Sequence, residues 1–427
     1  MVSTTRKQTP AFEDAVETAR AGDLSPEEAA DLLLDQLSSK ELLGLLDGDL
    51  PIWNLGRLAR LMEQRPLVAG AVPRLGIPGI RFSDGPRGVT VGRSTSFPVA
   101  VARAATWDPD LEEQVGQAMG REARAQGANL SGAACVNLLR HPAWGRAQEG
   151  YGEDPVLIGR MGAALTRGLR PNVMACVKHF ALNSMENARF TIDVEADEHA
   201  LHEVYLPHFK TVINAGADSV MSAYNSVNGT WAGDNKTLLT TILRDEWGFR
   251  GTVISDFVFG LRDPVGSVEA GLDVEMPLRQ QRARALPKAL RDGRLSRDAV
   301  RRAGRRILAM QIRHAAQRDP EAPDRGTVAS AQHRALARLV AARGAVLLKN
   351  EPVADAPVLP LNMTALRSLV VVGQLATTEN LGDTGSSMVE PPSTSSVLQG
   401  LREALPHGQV THTAGPTSQP RCWPPGG

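Results

Sequence analysis

A chain of 427 residues is too long for one ordinary domain, and two is the natural expectation. Its 47 basic and 47 acidic residues cancel, which leaves no electrostatic footprint for nucleic acid or an anionic membrane, and no apolar run approaches the length of a membrane span. The start Met1-Val2-Ser3-Thr4-Thr5-Arg6-Lys7 passes into Glu13, Asp14 and Glu17 without the apolar core of a signal peptide, so a cytoplasmic protein is expected. Cys135, Cys176 and Cys422, odd in number and widely spaced, read as reduced thiols and not as a disulfide frame or a zinc site; no metal or cofactor is expected.

Residues 1 to about 75 read as peripheral helices. Ser25-Pro26-Glu27-Glu28 is a helix start, with proline at the first position and acids in the first turn. From residue 76 the pattern becomes strand, polar strand end, helix, and repeats. Gly79 to Pro86 ends a strand in a turn, Asp108-Pro109 opens a helix to about Gln126, and Ala133 to Leu138 is a strand. Pro155 starts a helix through about Leu169, and Val173 to Val177 leads into Lys178-His179-Phe180. Ser219 to Asn225 is the next strand, and Asn235 caps a helix to Trp247 that Gly248 ends. Gly251-Thr252-Val253-Ile254-Ser255-Asp256 then reads as a strand buried on both faces, with a carboxylate at its carboxyl end. Ala270 to Pro277 supplies the last strand, and a long basic helix follows over Ser296 to Arg313. This alternation predicts a parallel α/β fold, and its length favours a closed (β/α)8-type TIM barrel over a doubly wound sheet.

Asp84, Arg146, Lys178, His179, Tyr224 and Asp256 all fall at or just beyond predicted strand ends, so a barrel gathers them at one mouth. Asp256 is the candidate for the central catalytic group; a helix N-cap is the plainer alternative. A carboxylate ringed by Arg, Lys and His is expected to stay ionised, as a nucleophile must. Hydrogen-bonding groups of both signs suit a polyhydroxylated substrate, whereas a phosphate site would need a glycine-rich loop that this chain lacks. His199 and His202 miss a zinc-protease motif, and Arg301, Arg302, Arg305 and Arg306 read as a solvated helix face. Asn183, Glu186 and Arg189 read as a loop-fixing network or a substrate contact, and Asp273 and Glu275 as structural carboxylates or rim groups.

Asp84-Gly85-Pro86, Gly145-Arg146 with Tyr151-Gly152-Glu153-Asp154-Pro155, Lys178-His179-Phe180, Met221 to Asn225 and Ser255-Asp256 occur in an order and spacing that resembles family 3 glycoside hydrolases, typified by β-glucosidases. The resemblance covers about residues 75 to 280 and continues more weakly to about 412. It implies a retaining exo-acting β-glycosidase with Asp256 as nucleophile, β-xylosidase being the neighbouring reading. It also implies a first sugar subsite made by Asp84, Arg146, Lys178, His179 and Tyr224, with Met221 beside them. Phe257 stands where the family commonly has tryptophan, which bears on ring stacking and not on the reaction. The implied partner is a β-glucoside or oligosaccharide substrate; neither nucleic acid nor membrane is expected, and a homo-oligomer is compatible.

The barrel domain is expected over 1–315, a polar linker over 316–328, and a partial α/β sandwich over 329–427 whose tail from about 416 looks foreign to the fold. In relatives the loop matching Gly382 to Ser387 reaches over the barrel mouth, so Ser386 or Ser387 is a candidate sugar contact. A retaining mechanism needs a second carboxyl group about 5 Å from the first. In the family's β-glucosidases that acid/base glutamate lies after this loop, and no residue of this chain matches it. Glu390 is the nearest acid but does not match the position, and Lys178 to Asn183 lacks the Pro-Gly-His of relatives that use a histidine. The chain therefore reads as truncated, with a catalytically impaired sugar-binding remnant as the alternative function.

Overall fold

The computed structural model describes residues 11–353, 355–382 and 385–415. Packing divides the chain into two units, Met1–Ala345 with Asp383–Glu390, and Val346–Gly382 with Pro391–Gly427. The tail from Pro416, with Cys422, lies outside the described residues.

In the first unit the strands are β1 Leu50–Pro51, β2 Leu67–Ala69, β3 Ile80–Ser83, β4 Leu130–Cys135, β5 Met174–Phe180, β6 Asp193–Val194, β7 Ser219–Ser222, β8 Ser226–Val227, β9 Thr230–Trp231, β10 Thr252–Ile254 and β11 Leu278–Arg279. Six form one sheet in the order β10-β7-β5-β4-β3-β2. Helices Pro109–Ala125, Pro155–Leu169, Pro207–Asn214 and Thr237–Glu246 make the crossovers between its later strands. Single bridges carry the sheet round: Val274 lies parallel to Ile254, Glu275 parallel to Asp47, and Gly48 antiparallel to Ala69. With β1 paired to β11, the sheet returns on itself as a TIM barrel.

The expectation of uniform β/α repeats starting at residue 76 needs correction. Residues 1–75 supply β1 and β2 as well as helices, and both strands are too short to leave a periodic pattern. β2 also runs antiparallel to β3. Only residues 70–79 join them, and a parallel pair needs a crossover of about a dozen residues or more.

Helix starts follow local chemistry. Ser25 and Glu28 form a reciprocal capping box ahead of Pro26–Leu34. Asp108 and Asp154 each cap a helix whose first residue is proline. Asn235 accepts from the Leu238 backbone amide at 3.0 Å.

Alternation along the strands sets what reaches the barrel interior. On β5, Ala175 and Val177 join the apolar layer under the outer helices, whereas Met174 and Cys176 face inward with Phe82, Leu130, Met221 and Ile254. Two further residues along each strand, the same inward face carries Asp84, Lys178 and Asp256 to the carboxyl rim. The barrel boundary also lies later than the 316–328 linker. Asp319 accepts from Arg124 at 2.7 Å, His333 Nδ1 meets Glu122 Oε1 at 2.7 Å, and Val340 is buried in the apolar layer. These contacts hold helix Ala331–Arg343 in the first unit.

In the second unit, β12 Ser368–Val372 and β13 Gln409–Thr413 pair in parallel. Leu347, Leu348, Val370, Val372, Leu375 and Val397 are all exposed there. A two-stranded sheet with so little buried apolar surface sits at the low end of local stability. Thermolysin, which cuts beside apolar residues, is expected to cleave within 346–382 before any cut in 100–310; first cuts in the barrel, read by mass spectrometry, would contradict this.

Candidate active site

The rim residues are built on a rigid base. The fully buried Arg103 guanidinium donates to Glu112 Oε2 at 2.9 Å and to the carbonyls of Pro86 at 2.9 Å and Pro98 at 2.7 Å. Glu112 Oε1 in turn accepts from the Tyr151 hydroxyl at 2.6 Å, so one network ties the turn after Asp84 to the loop after Arg146. That turn needs glycine: Gly85 has φ of +129°, and a Cβ there would stand 1.6 Å from the Gly88 carbonyl oxygen.

Asp84 Oδ1 accepts from the Gly85 amide at 2.9 Å and is ion-paired to Lys178 Nζ. Burial opposes the Lys178 ammonium, yet the Asp84 carboxylate holds its pKa above the ordinary lysine range. Arg146 Nη2 donates to Glu149 Oε2 at 2.8 Å, and its Nη1 lies 2.8 Å from His179 Nε2. Because a guanidinium only donates, Nε2 accepts, and the ring proton sits on Nδ1, 3.3 Å from Asn137 Oδ1. Asn137 also takes the His179 amide at 2.8 Å and donates to its carbonyl at 2.9 Å. Burial and then the Arg146 and Lys178 charges push the His179 pKa well down, so the imidazole is neutral. Its 3.7 Å approach to Asp256 Oδ2 is therefore not an ion pair.

Asp256 Oδ1 accepts from the Phe257 amide at 2.7 Å. Its Oδ2 is buried and makes no hydrogen bond of good geometry among the described residues, although the Tyr224 hydroxyl faces the carboxylate closely enough to lower its pKa. Burial outweighs the attraction of Arg146 and pushes the carboxyl up to about 6. It is therefore still mostly ionised at pH 7, as expected, but the balance of charges behind this differs from the expectation on two counts. His179 is neutral, and Asp84 and Glu149 already balance the two cations, so an ionised Asp256 carries an uncompensated charge.

Tyr224 donates to the Phe257 carbonyl at 2.8 Å, and its ring meets Phe190 edge-on at 4.9 Å and the Arg189 guanidinium at 4.6 Å. Phe257 is half-buried, with its ring edge-on to Phe82 at 5.0 Å, so it belongs to the site's wall. Met221 pairs in register with Ile254 and lies in the inner apolar set below Asp256, as floor. Of the two loop serines, Ser387 reaches the cluster and donates to Glu149 Oε1 at 3.1 Å, whereas Ser386 is exposed. Glu390 faces Arg93 at 3.2 Å on the surface and makes no contact with this cluster.

Of the other candidates, only Arg189 touches the cluster, through the Tyr224 ring. Glu186 pairs with Arg189 and takes the Trp144 indole N–H at 3.3 Å, and Asn183 is buried. Asp273 is held by Arg244 at 2.8 Å and Arg306 at 2.7 Å, and Glu275 accepts from the Arg282 amide at 2.8 Å, so both are structural. No described helix is long and apolar enough to cross a membrane.

Residues 55–310 match the model of the glycosyl hydrolase family 3 N-terminal domain. The chain belongs to glycosyl hydrolase family 3. It is 39% identical over 375 residues to a β-glucosidase of Rhizobium radiobacter, covering 83% of this chain and 45% of that relative. To the thermostable β-glucosidase B of Acetivibrio thermocellus it is 32% identical, covering 87% of this chain and 48% of the relative. Among solved structures, DesR, a β-glucosidase from Streptomyces venezuelae in complex with D-glucose, matches with a TM-score of 0.80 at 31% identity, over 90% of this chain and 50% of its own. β-Glucosidase 3B from Thermotoga neapolitana in complex with glucose gives 0.78 at 32% identity, over 89% and 54%. The chain thus spans about half the length of the curated relatives it matches.

Two residues of this family 3 cluster escape the sequence reading, Glu149 and Asn137. Glu149 stands three residues after Arg146, a spacing that fits an ion pair across one turn and could have been read. Asn137, a buttress at a strand end, leaves no comparable signal. Burial raises the Glu149 pKa, but Arg146 and Lys178 outweigh it and hold the carboxyl below its usual range. Glu149→Ala leaves Arg146 buried without its counter-ion, so a loss of about 3 kcal/mol is expected in urea unfolding followed by circular dichroism. A loss under about 1 kcal/mol would mean that Arg146 finds another partner.

Proposed function

We propose that this cluster is the glucosyl subsite and nucleophile of a retaining, exo-acting β-glucosidase. One observation carries the reading: Asp256 is a buried carboxylate at the barrel mouth whose Oδ2 makes no hydrogen bond of good geometry among the described residues, beside Arg146, Lys178, His179 and the Tyr224 hydroxyl. Asp84, Arg146, Lys178, His179 and Tyr224 hold sugar hydroxyls, Met221 and Phe257 line the floor and wall, and Ser387 fixes Glu149. The names of the relatives support glucose as the sugar.

In the first step Asp256 Oδ2 attacks the anomeric carbon, the bond to the aglycone oxygen breaks, and that oxygen leaves with the electron pair and needs a proton. The uncompensated charge of the ionised cluster favours the positive, oxocarbenium-like transition state. In the second step water attacks the anomeric carbon, the bond to Asp256 Oδ2 breaks, and the water gives up one proton to a base or to solvent as the sugar leaves. Asp84 and Glu149 are each tied to a cation, so neither serves as proton donor. The described residues thus supply the attacking half of the reaction. Purified protein is expected to act on an aryl β-glucoside, and Asp256→Asn to abolish the activity; activity that survives the substitution would remove Asp256 from its role.

A further inference from the structure

Sharing no lining residue with the rim cluster, helix Ser39–Gly44 and helix Arg282–Arg291 flank a cavity of about 660 Å3. That volume falls in the range of small-molecule sites. Its walls are apolar, with Leu42, Leu43, Leu290, Leu295 and Val300. Its edge is cationic. Lys40, Arg291 and Arg297 line it, all exposed, and none makes an ion pair among the described residues.

The floor carries a second sign of a ligand. Asp47 and Arg282, both almost wholly buried, line the cavity, and Asp47 Oδ1 and Arg282 Nε have no hydrogen-bond partner among the described residues. Burial and then the neighbouring Glu275 carboxylate push the Asp47 carboxyl well up, which disfavours a negative charge on the floor. An apolar chamber with three cations at its edge matches one ligand chemistry: an apolar chain ending in a negative charge.

We propose that this cavity binds a monomeric medium-chain alkyl carboxylate, with the chain among Leu43, Leu290 and Val300 and the carboxylate at Arg291 and Arg297. The ligand acts independently of the sugar site, so this inference stands whatever the outcome at Asp256. Decanoate, kept below its micelle concentration, is the probe for calorimetric titration of the whole chain. One-to-one saturable binding is expected, weakened by 0.5 M salt. Arg291→Glu with Arg297→Glu reverses two exposed charges and should weaken binding about tenfold or more without loss of fold. Leu43→Trp fills the chamber and should also weaken it, with circular dichroism as the check on folding, and decanol should bind more weakly than decanoate. Absence of saturable binding, binding that both variants leave unchanged, or decanol binding as tightly as decanoate would each overturn the proposal.

Discussion

Mixed with dinitrophenyl β-glucoside, the protein should release about one equivalent of dinitrophenolate per chain in a burst and then turn over very slowly. The first step needs only Asp256, because dinitrophenolate leaves without protonation. The second needs a base to activate water, and every carboxylate of the cluster other than Asp256 is already committed to a cation. Azide, a nucleophile that needs no base, should restore part of the turnover. With cellobiose the leaving oxygen must depart as an alkoxide unless it is protonated, and no carboxylate described in the cluster is free to donate; loss of that assistance costs about 10² to 10⁴ in rate, so very slow hydrolysis is expected. Rapid, steady cellobiose hydrolysis without azide rescue would place an acid/base among residues not assigned to this role, and Glu390 would be the first to substitute.

Asp256→Asn should abolish turnover and yet make the protein more stable at neutral pH. The folded carboxyl is pushed up to about 6, whereas an unfolded aspartate titrates near 3.9, so the folded state binds the proton more tightly. The carboxyl therefore favours folding below about pH 4, and that contribution is lost as pH rises through about 6. At pH 7 the ionised Asp256 costs about 3 kcal/mol, from a shift of about two units at 1.36 kcal/mol each. Asparagine keeps the shape and can still accept from the Phe257 amide, so it removes the charge alone. Urea unfolding at pH 7 should show the gain, and at pH 4 the difference should shrink towards zero. Equal stabilities at pH 7 would mean that Arg146 and Lys178 fully compensate the charge. The same proton should set the acidic limb of aryl glucoside turnover, which falls as pH drops below about 6.

The barrel was legible where strands are long enough to carry a pattern and helices carry their own punctuation. The strand before Asp256, the helix from Pro155 to Leu169 and the asparagine cap at Asn235 all lie where composition puts them. β1 and β2 were not legible, because two- and three-residue strands have no period, and the reversed direction of β2 follows from a short connection that only the paired structure makes visible. At the rim, residue types at strand ends located Asp84, Lys178 and Asp256, since side chains alternate and the inward set is fixed by the apolar residues below. Charge state was harder. Whether Asp256 sits above or below its ordinary pKa depends on a balance among Arg146, Lys178, Asp84 and Glu149, and Glu149 enters only through a loop that folds back on Arg146. Ser386 and Ser387 are adjacent in sequence, yet one is exposed and the other reaches Glu149, a distinction set by loop geometry alone.

The most direct test of the account is to trap the glycosyl-enzyme with a 2-deoxy-2-fluoroglucoside carrying dinitrophenolate, and to map the label by tryptic digestion and mass spectrometry. Cleavage after Arg250 and Arg262 isolates residues 251–262, which hold Asp256 as their only carboxylate side chain. The account predicts one label per chain, on that peptide, and none in Asp256→Asn. A label on any other peptide, or one that persists in Asp256→Asn, would contradict it.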